Sequence, residues 1–140
     1  MEKYIAIQQD VIAKYGIDIC DGTKCKHDWQ RTHAHIKERR VCKWKQANSI
    51  RSTFTLLHEV GHIENNGSQI LGHAMRRCEQ EYYATQWALG KCKEYGITVP
   101  TTIVEKYRAY VLREIDRGER RGLDSYRYDI EHIRRAVKEW

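Results

Sequence analysis

The segment HEVGH, residues 58–62, places two histidines four positions apart, with a glutamate directly after the first. On an α-helix, residues i and i+4 share a face, so His58 and His62 can both reach one cation. Imidazole is a common zinc ligand, and Glu59 lies about 100° around the helix, beside the cation rather than on it. This spacing is typical of a metallopeptidase in which the glutamate is the catalytic base. The alternative is an ordinary amphipathic helix that carries two histidines.

A third ligand must come from elsewhere, because a zinc site built on two histidines needs at least one more protein ligand. Three residues downstream are candidates: His73, Glu79 and Glu81. Glu81 lies on a stripe of small or apolar residues spaced by three and four, namely Cys78, Thr85, Ala88 and Cys92. A carboxylate on such an inward stripe is costly unless it is paired or bound to a metal.

Glu79 is displaced by roughly 130° from the inward stripe and is expected to face solvent. Glu81 is therefore the preferred third ligand, and an inward ion pair with an arginine or histidine is the alternative role for it. His73, eleven residues after His62, is a weaker candidate for the same position.

The elements that must position these residues are mostly helical. Apolar periodicity predicts a helix over 3–15 that stops at Gly16, a helix around HEVGH from Ser49 or Ser52 to Asn66-Gly67, and helices over 74–95, from 101 onwards and over 126–140. Alternation predicts a short strand within 38–45, whereas residues 17–35 show no period. The predicted fold is α+β and predominantly helical, with a small sheet in the N-terminal half.

Two local features refine this outline. Thr102 and Glu105 have the spacing of a capping box at the start of the fourth helix. Gly61, inside the HEVGH helix, costs about 1 kcal/mol relative to alanine. A glycine at that position indicates that another backbone or a ligand comes close to the helix.

The composition matches one small domain, so we predict a single domain over residues 1–140. No stretch approaches the roughly 18 apolar residues of a membrane span, and the N-terminal residues lack the apolar run of a signal peptide. We therefore expect a cytoplasmic protein without membrane association. The five cysteines are an odd number, which argues against a disulfide framework in such a chain.

A second metal site is conceivable around Cys20 and Cys25, with Cys42, His33 and His35 not far away in the sequence. The Cys-x4-Cys spacing is loose for structural zinc, and no second close pair of cysteines exists. Free thiols are therefore the preferred interpretation of these cysteines.

Two stretches of the chain follow a recognisable pattern. An Arg-x-x-Phe-Thr-Leu lead-in to HEVGH is formed by Arg51, Phe54, Thr55 and Leu56. A Glu-x-x-Ala-x-x-aromatic-Ala helix is formed by Glu81, Ala84, Trp87 and Ala88. Together these residues resemble the ImmA/IrrE family of zinc metallo-endopeptidases. One departure is Thr85, because the family commonly has an acidic or amide residue four positions after its ligand glutamate.

The resemblance implies a zincin-like core and Zn2+ as cofactor, with His58, His62 and Glu81 as metal ligands and Glu59 as catalytic base. It also implies an endopeptidase that cleaves or inactivates a helix-turn-helix repressor, which is the role of an antirepressor in phages, mobile elements or stress-response loci. The developing oxyanion needs a further donor, and the candidates are Tyr82, Tyr83, Tyr126, Tyr128 and His132.

Two other functions stay open. The chain could bind zinc and sequester a repressor without cleaving it efficiently. The net charge of +6, with arginines and tyrosines interleaved in the C-terminal third, could also serve nucleic-acid binding. No helix-turn-helix, zinc-finger or RNP signature is present, and acidic residues interrupt the basic ones. A solvated surface, or a surface that recruits an acidic region of a protein substrate, explains these charges equally well.

Overall fold

A computed structural model of the chain describes residues 2–21, 23, 25, 31–65, 75–122 and 130–140. The order of elements is α1 (Lys3–Tyr15), β1 (Asp18–Cys20), β2 (His33–His35), β3 (Arg40–Cys42), α2 (Ile50–Glu64), α3 (Arg77–Glu94), α4 (Thr101–Arg120) and α5 (Ile130–Lys138). The fold is α+β and predominantly helical, as the sequence predicts. Within the described ranges, no helix is both long enough and apolar enough to cross a membrane.

The three short strands form one mixed sheet in the order β1-β3-β2. Strand β3 runs parallel to β1 and antiparallel to β2. Of the strand predicted within residues 38–45, only Arg40–Cys42 pairs as a strand. Strands β1 and β2 fall in the stretch without a visible period, because three residues are too few to show alternation.

The predicted helix ends are partly confirmed. Helix α1 has the expected bounds and closes on Gly16 in the left-handed conformation, with φ of 61°. Ser49 is the N-cap of α2, and its side chain accepts a hydrogen bond from the backbone N–H of Ser52. The predicted stop of α2 at Asn66-Gly67 and the predicted start of the last helix at residue 126 lie outside the described residues.

The capping box predicted at Thr102 and Glu105 is wrong. The N-cap of α4 is Pro100, which makes no side-chain capping bond. The Glu105 carboxylate instead forms an ion pair with Arg108, one turn further along α4. The Glu105 side chain is therefore directed towards Arg108 and does not cap the start of α4.

Helix α2 lies at the centre of the fold, in contact with α1, α3 and the sheet. It contributes Phe54, Leu56, Leu57, Val60 and Ile63 to the main hydrophobic core. A second apolar cluster joins the start of α3 to α4 and α5. The helix that carries HEVGH is thus fixed by packing on several sides.

Two polar side chains connect both ends of α2 to the N-terminal part of the chain. The buried Gln8 of α1 donates hydrogen bonds to the Ala47 carbonyl and to Thr53 Oγ1, each at 2.8 Å. The Arg39 guanidinium donates to the carbonyl of Tyr15 and to Glu64 Oε2, each at 2.6 Å. The start and the end of α2 are therefore both connected to α1.

Candidate metal centre

The three residues named as metal ligands come together between α2 and α3. His58 Nε2 lies 3.1 Å from Glu81 Oε2, and His62 Nε2 lies 3.3 Å from Glu81 Oε1. The two imidazole rings are 4.7 Å apart, centroid to centroid. Glu81 is only 2% exposed and His58 6%. The side chains of the inward stripe on α3 are all buried, as the sequence predicts.

These separations fit a shared cation. Zinc bonds of about 2.0–2.1 Å place two ligands of a tetrahedron about 3.4 Å apart, close to both nitrogen–oxygen distances. His58 Nε2 and Glu81 Oε2 are buried, yet neither forms a hydrogen bond with any described residue. Two buried polar atoms that face each other without hydrogen-bond geometry suit a common ion better than a direct pair. Side chains of His58, Glu59 and His62 also lie close enough to hold a metal ion.

Gly61 explains how α3 comes so near to the histidines. A Cβ atom at position 61 would lie 2.7 Å from the carbonyl oxygen of Ala84 and 3.1 Å from its Cα. Real side chains do not tolerate such a contact with backbone, so only glycine permits this approach. Since Ala84 follows Glu81 by less than one turn, the close contact brings the carboxylate within reach of the imidazoles. The prediction that another backbone comes close to Gly61 is confirmed.

The charges of the site depend on one another. Burial lowers the pKa of His58, but contacts with Glu59 and Glu81 outweigh burial and raise that pKa to about 9. Burial alone would raise the pKa of Glu81, but His58 and His62 hold it well below its usual range. Arg77 adds a further contact, 3.2 Å from Glu81 Oε1. Glu81 is thus an anion surrounded by three basic side chains, and the ion-pair role foreseen for it is also present.

Glu59 lies on the opposite side of the His58 ring from Glu81. Its Oε1 is 3.6 Å from His58 Nδ1, which is too long for a hydrogen bond but close enough for attraction between charges. The Glu59 side chain is 13% exposed and lines the cleft described below. The Glu59 carboxylate is therefore accessible from the cleft and also interacts electrostatically with His58.

A cleft of about 580 Å³ opens above these side chains. Strand β2 and the residues around it form one wall, and helix α4 contributes another. Besides its histidines, the cleft is lined by one lysine and three arginines: Arg31, Arg77, Lys106 and Arg113. The cleft thus combines the buried carboxylate of Glu81 and the partly exposed carboxylate of Glu59 with a positively charged lining.

Tyr107 of α4 is a cleft residue that the sequence analysis did not name as a candidate donor. Its ring lies 4.7 Å from that of His58 and 4.9 Å from that of Phe54. Burial raises the pKa of Tyr107 to about 12, so its hydroxyl stays protonated and can donate. Tyr107 is four residues from both Ile103 and Val111, and this apolar spacing indicates a position on the inward face of α4. The spacing does not show which other helix the Tyr107 ring contacts.

The donors named from the sequence lie elsewhere. Tyr82 is buried in the second apolar cluster and stacks on Trp140, 5.8 Å between ring centroids. Tyr83 packs against Tyr82, and His132 is exposed on α5. None of these three is among the residues that line the cleft. Tyr126 and Tyr128 lie outside the described residues, as does the alternative ligand His73.

The expectation that Glu79 faces solvent is wrong, because its exposure is 0%. Helix α3 begins at Arg77, which makes Glu79 its third residue, and Glu79 Oε1 accepts a hydrogen bond from the Arg76 backbone N–H at 2.9 Å. The side chain folds back on the helix start instead of extending into solvent. Glu79 therefore has a capping role and does not contact the histidines in the way Glu81 does.

Thr85 is also buried, one turn after Glu81 on the inward stripe. Its hydroxyl forms no hydrogen bond with any residue that the structure describes. The hydroxyl therefore does not orient a ligand histidine in this arrangement, which is the role that an acidic or amide side chain would suit at that position.

The basic C-terminal third is partly neutralised. Three of its arginines are paired with glutamates: Arg108 with Glu105, Arg117 with Glu114, and Arg134 with Glu119. Such pairs reduce the charge available to a phosphate backbone. The described part of this region therefore gives no specific support to the nucleic-acid hypothesis.

A second group of side chains could also hold a metal ion. Cys25, His33, His35 and Cys42 lie beside the sheet with their ligand atoms within 4.8 Å of one another. From the sequence, these four residues together with Cys20 are a conceivable second site, although free thiols are the preferred interpretation there. The loose cysteine spacing gave a weak signal, because the members of the group meet only when the strands pair.

Comparisons with known proteins identify no relative of this chain. No family model matches the chain, and no curated protein or solved structure matches it either. The resemblance to the ImmA/IrrE family therefore stays a prediction, based on the motifs around HEVGH and Glu81.

Proposed function

We propose that this protein is a zinc-dependent endopeptidase with a zincin-like core, similar to the ImmA/IrrE family. The observation that carries the proposal is the convergence of His58, His62 and Glu81 at distances suited to one tetrahedral ion. Two of the converging atoms are buried and lack hydrogen bonds to described residues, which supports a metal over a simple ion pair. The adjacent cleft is large enough for a peptide segment.

Zinc held by these ligands would polarise the scissile carbonyl and make a nearby water more acidic. Glu59 accepts the proton of that water as its oxygen attacks the carbonyl carbon. Glu59 then delivers the proton to the departing amine as the carbon–nitrogen bond breaks. For these steps its carboxylate rotates from His58 Nδ1 into the cleft. Tyr107 is the donor best placed to stabilise the oxyanion.

An extended peptide suits the shape of the cleft. Strand β2 is the outer strand of the sheet that the described residues form, and it lines the cleft, so a peptide that lies along β2 can form backbone hydrogen bonds there. The basic lining, which includes Arg31 and Arg113, favours acidic side chains on that peptide. By the family resemblance, the natural substrate is a cytoplasmic helix-turn-helix repressor, which makes the protein an antirepressor of a phage or mobile element.

Replacing Glu59 with glutamine tests the proposed function. Zinc content should be unchanged, because Glu59 is not a ligand, whereas cleavage of a peptide library or of a repressor encoded beside this protein should fall about 10²–10⁴-fold. Glu94→Gln, at the exposed end of α3, is the matched control and should keep full activity. Cleavage that survives Glu59→Gln would exclude the base role. A zinc-loaded protein that binds the repressor stoichiometrically but cuts nothing would establish sequestration instead.

A further inference from the structure

The side of the sheet that carries Cys42 has an unusual concentration of metal-ligand side chains. Strand pairing aligns Cys20 with Cys42 and Cys42 with His33, so three such residues lie side by side across β1, β3 and β2. His35 follows His33 on the same face, two residues along β2. Cys25, which follows β1 in the chain, contacts this row. None of these residues is a proposed ligand of the centre between α2 and α3, although His33 lines the same cleft.

Cys25 lies at the middle of the group. Its sulfur is 3.4 Å from His33 Nε2, 3.3 Å from His35 Nε2 and 2.7 Å from the Cys42 sulfur. In a tetrahedral zinc site, bonds of about 2.3 Å to sulfur and 2.1 Å to nitrogen place sulfur and nitrogen about 3.6 Å apart. Both sulfur–nitrogen distances are close to that value. The two sulfurs would move about 1 Å apart to reach the separation of about 3.8 Å that zinc requires.

The contact of His33 Nδ1 favours the tautomer that a metal ligand needs. Its Nδ1 lies 2.8 Å from the backbone carbonyl of Arg31, and a carbonyl can only accept, so Nδ1 carries the proton. In the neutral ring, the lone pair is then on Nε2, the atom directed at Cys25. Metal-binding histidines are commonly oriented in this way by a carbonyl on their second nitrogen.

A disulfide between Cys25 and Cys42 is the main rival explanation. Their 2.7 Å separation is longer than the roughly 2.05 Å of a disulfide bond, and all five cysteines are free thiols in this structure. A disulfide would also leave unexplained why two imidazole nitrogens converge on the same sulfur. One tetrahedral ion uses all four side chains.

We infer that Cys25, His33, His35 and Cys42 form a second, structural zinc site. Binding of Zn2+ releases two thiol protons to solvent and leaves two thiolates and two neutral imidazoles on the ion. Four protein ligands close the coordination sphere, so this site has no open position for a substrate. The ion would join β2, β3 and the chain after β1, stabilising a sheet whose strands are only three residues long. Because β2 also lines the cleft, the site would stiffen one wall of it.

Titration of the metal-free, reduced full-length protein with Co2+ tests this inference directly. Thiolate ligands give Co2+ an intense charge-transfer absorption in the near ultraviolet, which a site made of two histidines and a glutamate cannot give. We expect this absorption in the wild type and also in Glu81→Ala. Zinc content should be two ions per chain in the wild type and one in Glu81→Ala. These readouts are independent of peptidase activity, so the inference holds or fails separately from the proposed function.

Variants of the cluster complete the test. Cys42→Ala and the milder His35→Ala should each lose one zinc ion, and Cys42→Ala should also lose the charge-transfer absorption. Cys92→Ala, which removes a buried cysteine of the helical core, is the control. It should keep both zinc ions and the charge-transfer absorption. A wild-type cobalt protein without thiolate absorption would overturn the inference, whether or not the variants fold. A Cys25–Cys42 disulfide in protein isolated without reductant, identified by peptide mapping, would overturn it in favour of the rival.

Discussion

Gly61 of α2 lies against the backbone of Ala84 of α3, with room for a hydrogen atom but not for a methyl group. The contact falls between His58 and His62 on one helix and just after Glu81 on the other. The distance between the two helices, and with it the distance from carboxylate to imidazole, therefore depends on the absence of a side chain at position 61.

Gly61→Ala should damage the metal centre without changing any ligand. The new Cβ meets backbone atoms at 2.7–3.2 Å, which cannot move aside as a flexible side chain could. We expect α3 to shift outwards, zinc affinity to fall at least tenfold, and the free energy of unfolding to drop by about 1–3 kcal/mol. Isothermal titration with Zn2+ and urea denaturation measure these two quantities.

Gly90→Ala is the matched control, since Gly90 is a helical glycine of α3 with no atom near its missing Cβ. It should keep zinc affinity and gain about 0.5–1 kcal/mol of stability, because alanine favours helix. If Gly61→Ala bound zinc as tightly as Gly90→Ala does, the helix contact would not determine the geometry of the site.

Alanine substitutions of Glu81 and Glu79 should distinguish the loss of metal binding from the loss of a helix cap. Glu81→Ala removes the carboxylate between the two histidines, so zinc should be lost from this centre. Glu79→Ala removes the capping hydrogen bond to the Arg76 backbone N–H and leaves the three proposed ligands in place. Zinc should therefore be retained, and the free energy of unfolding should fall by about 1 kcal/mol. Zinc analysis together with thermal denaturation distinguishes the two effects. Loss of zinc in Glu79→Ala alone would contradict the assignment of Glu81.

Tyr107→Phe should lower the rate of peptide cleavage while zinc binding stays intact. The phenyl ring preserves the contacts with His58 and Phe54, and only the hydroxyl is removed. If that hydroxyl stabilises the oxyanion, kcat should fall about 10–10³-fold with little change in KM. Tyr110→Phe, at another tyrosine of the cleft, is the comparison and should have a smaller effect. Equal losses in the two variants would indicate a general role in shaping the cleft.

The stability of the metal-free protein should depend on His58 protonation. Its pKa rises from 6.5 to about 9 on folding, because contacts with Glu59 and Glu81 outweigh burial, which acts in the opposite direction. Protonated His58 thus stabilises the fold fully below about pH 6.5 and ceases to do so above about pH 9. We expect a loss on the order of 3 kcal/mol across this window.

Urea denaturation at several pH values, in wild type and in His58→Gln, measures that loss as a difference between the two proteins. Zinc-saturated protein should not follow the same curve, because a coordinating imidazole is already neutral. An identical pH dependence in wild type and His58→Gln would rule out His58 as the titrating group.

The three proposed ligands of the candidate metal centre were readable from the sequence, but the orientation of Glu79 was not. His58 and His62 share a helix, so their spacing alone predicts that they converge. Glu81 was identified from the inward stripe of α3. The same reasoning failed for Glu79, because the orientation of a residue in the first turn follows the capping geometry rather than the average helix period.

Residues that meet through strand pairing or helix packing left weaker signals. The strands β1 and β2 are too short to show a period, and their pairing with β3 is what collects Cys42, His33 and His35. Tyr107 was readable as an inward residue of α4, but its position over His58 depends on how α4 packs beside α2. In both cases the side chains are visible in the sequence, but only the tertiary structure shows which of them are neighbours.

The hydrogen bonds of Gln8 and Arg39 have a consequence for attempts to transplant this chemistry. Helix α1 supplies no ligand, yet it is connected to the start of α2 through Gln8 and to its end through Arg39. A graft of α2 and α3 alone into another scaffold would carry every ligand and still lack the contacts that fix where α2 lies. The transferable unit therefore begins at α1, although α1 contains none of the proposed metal ligands.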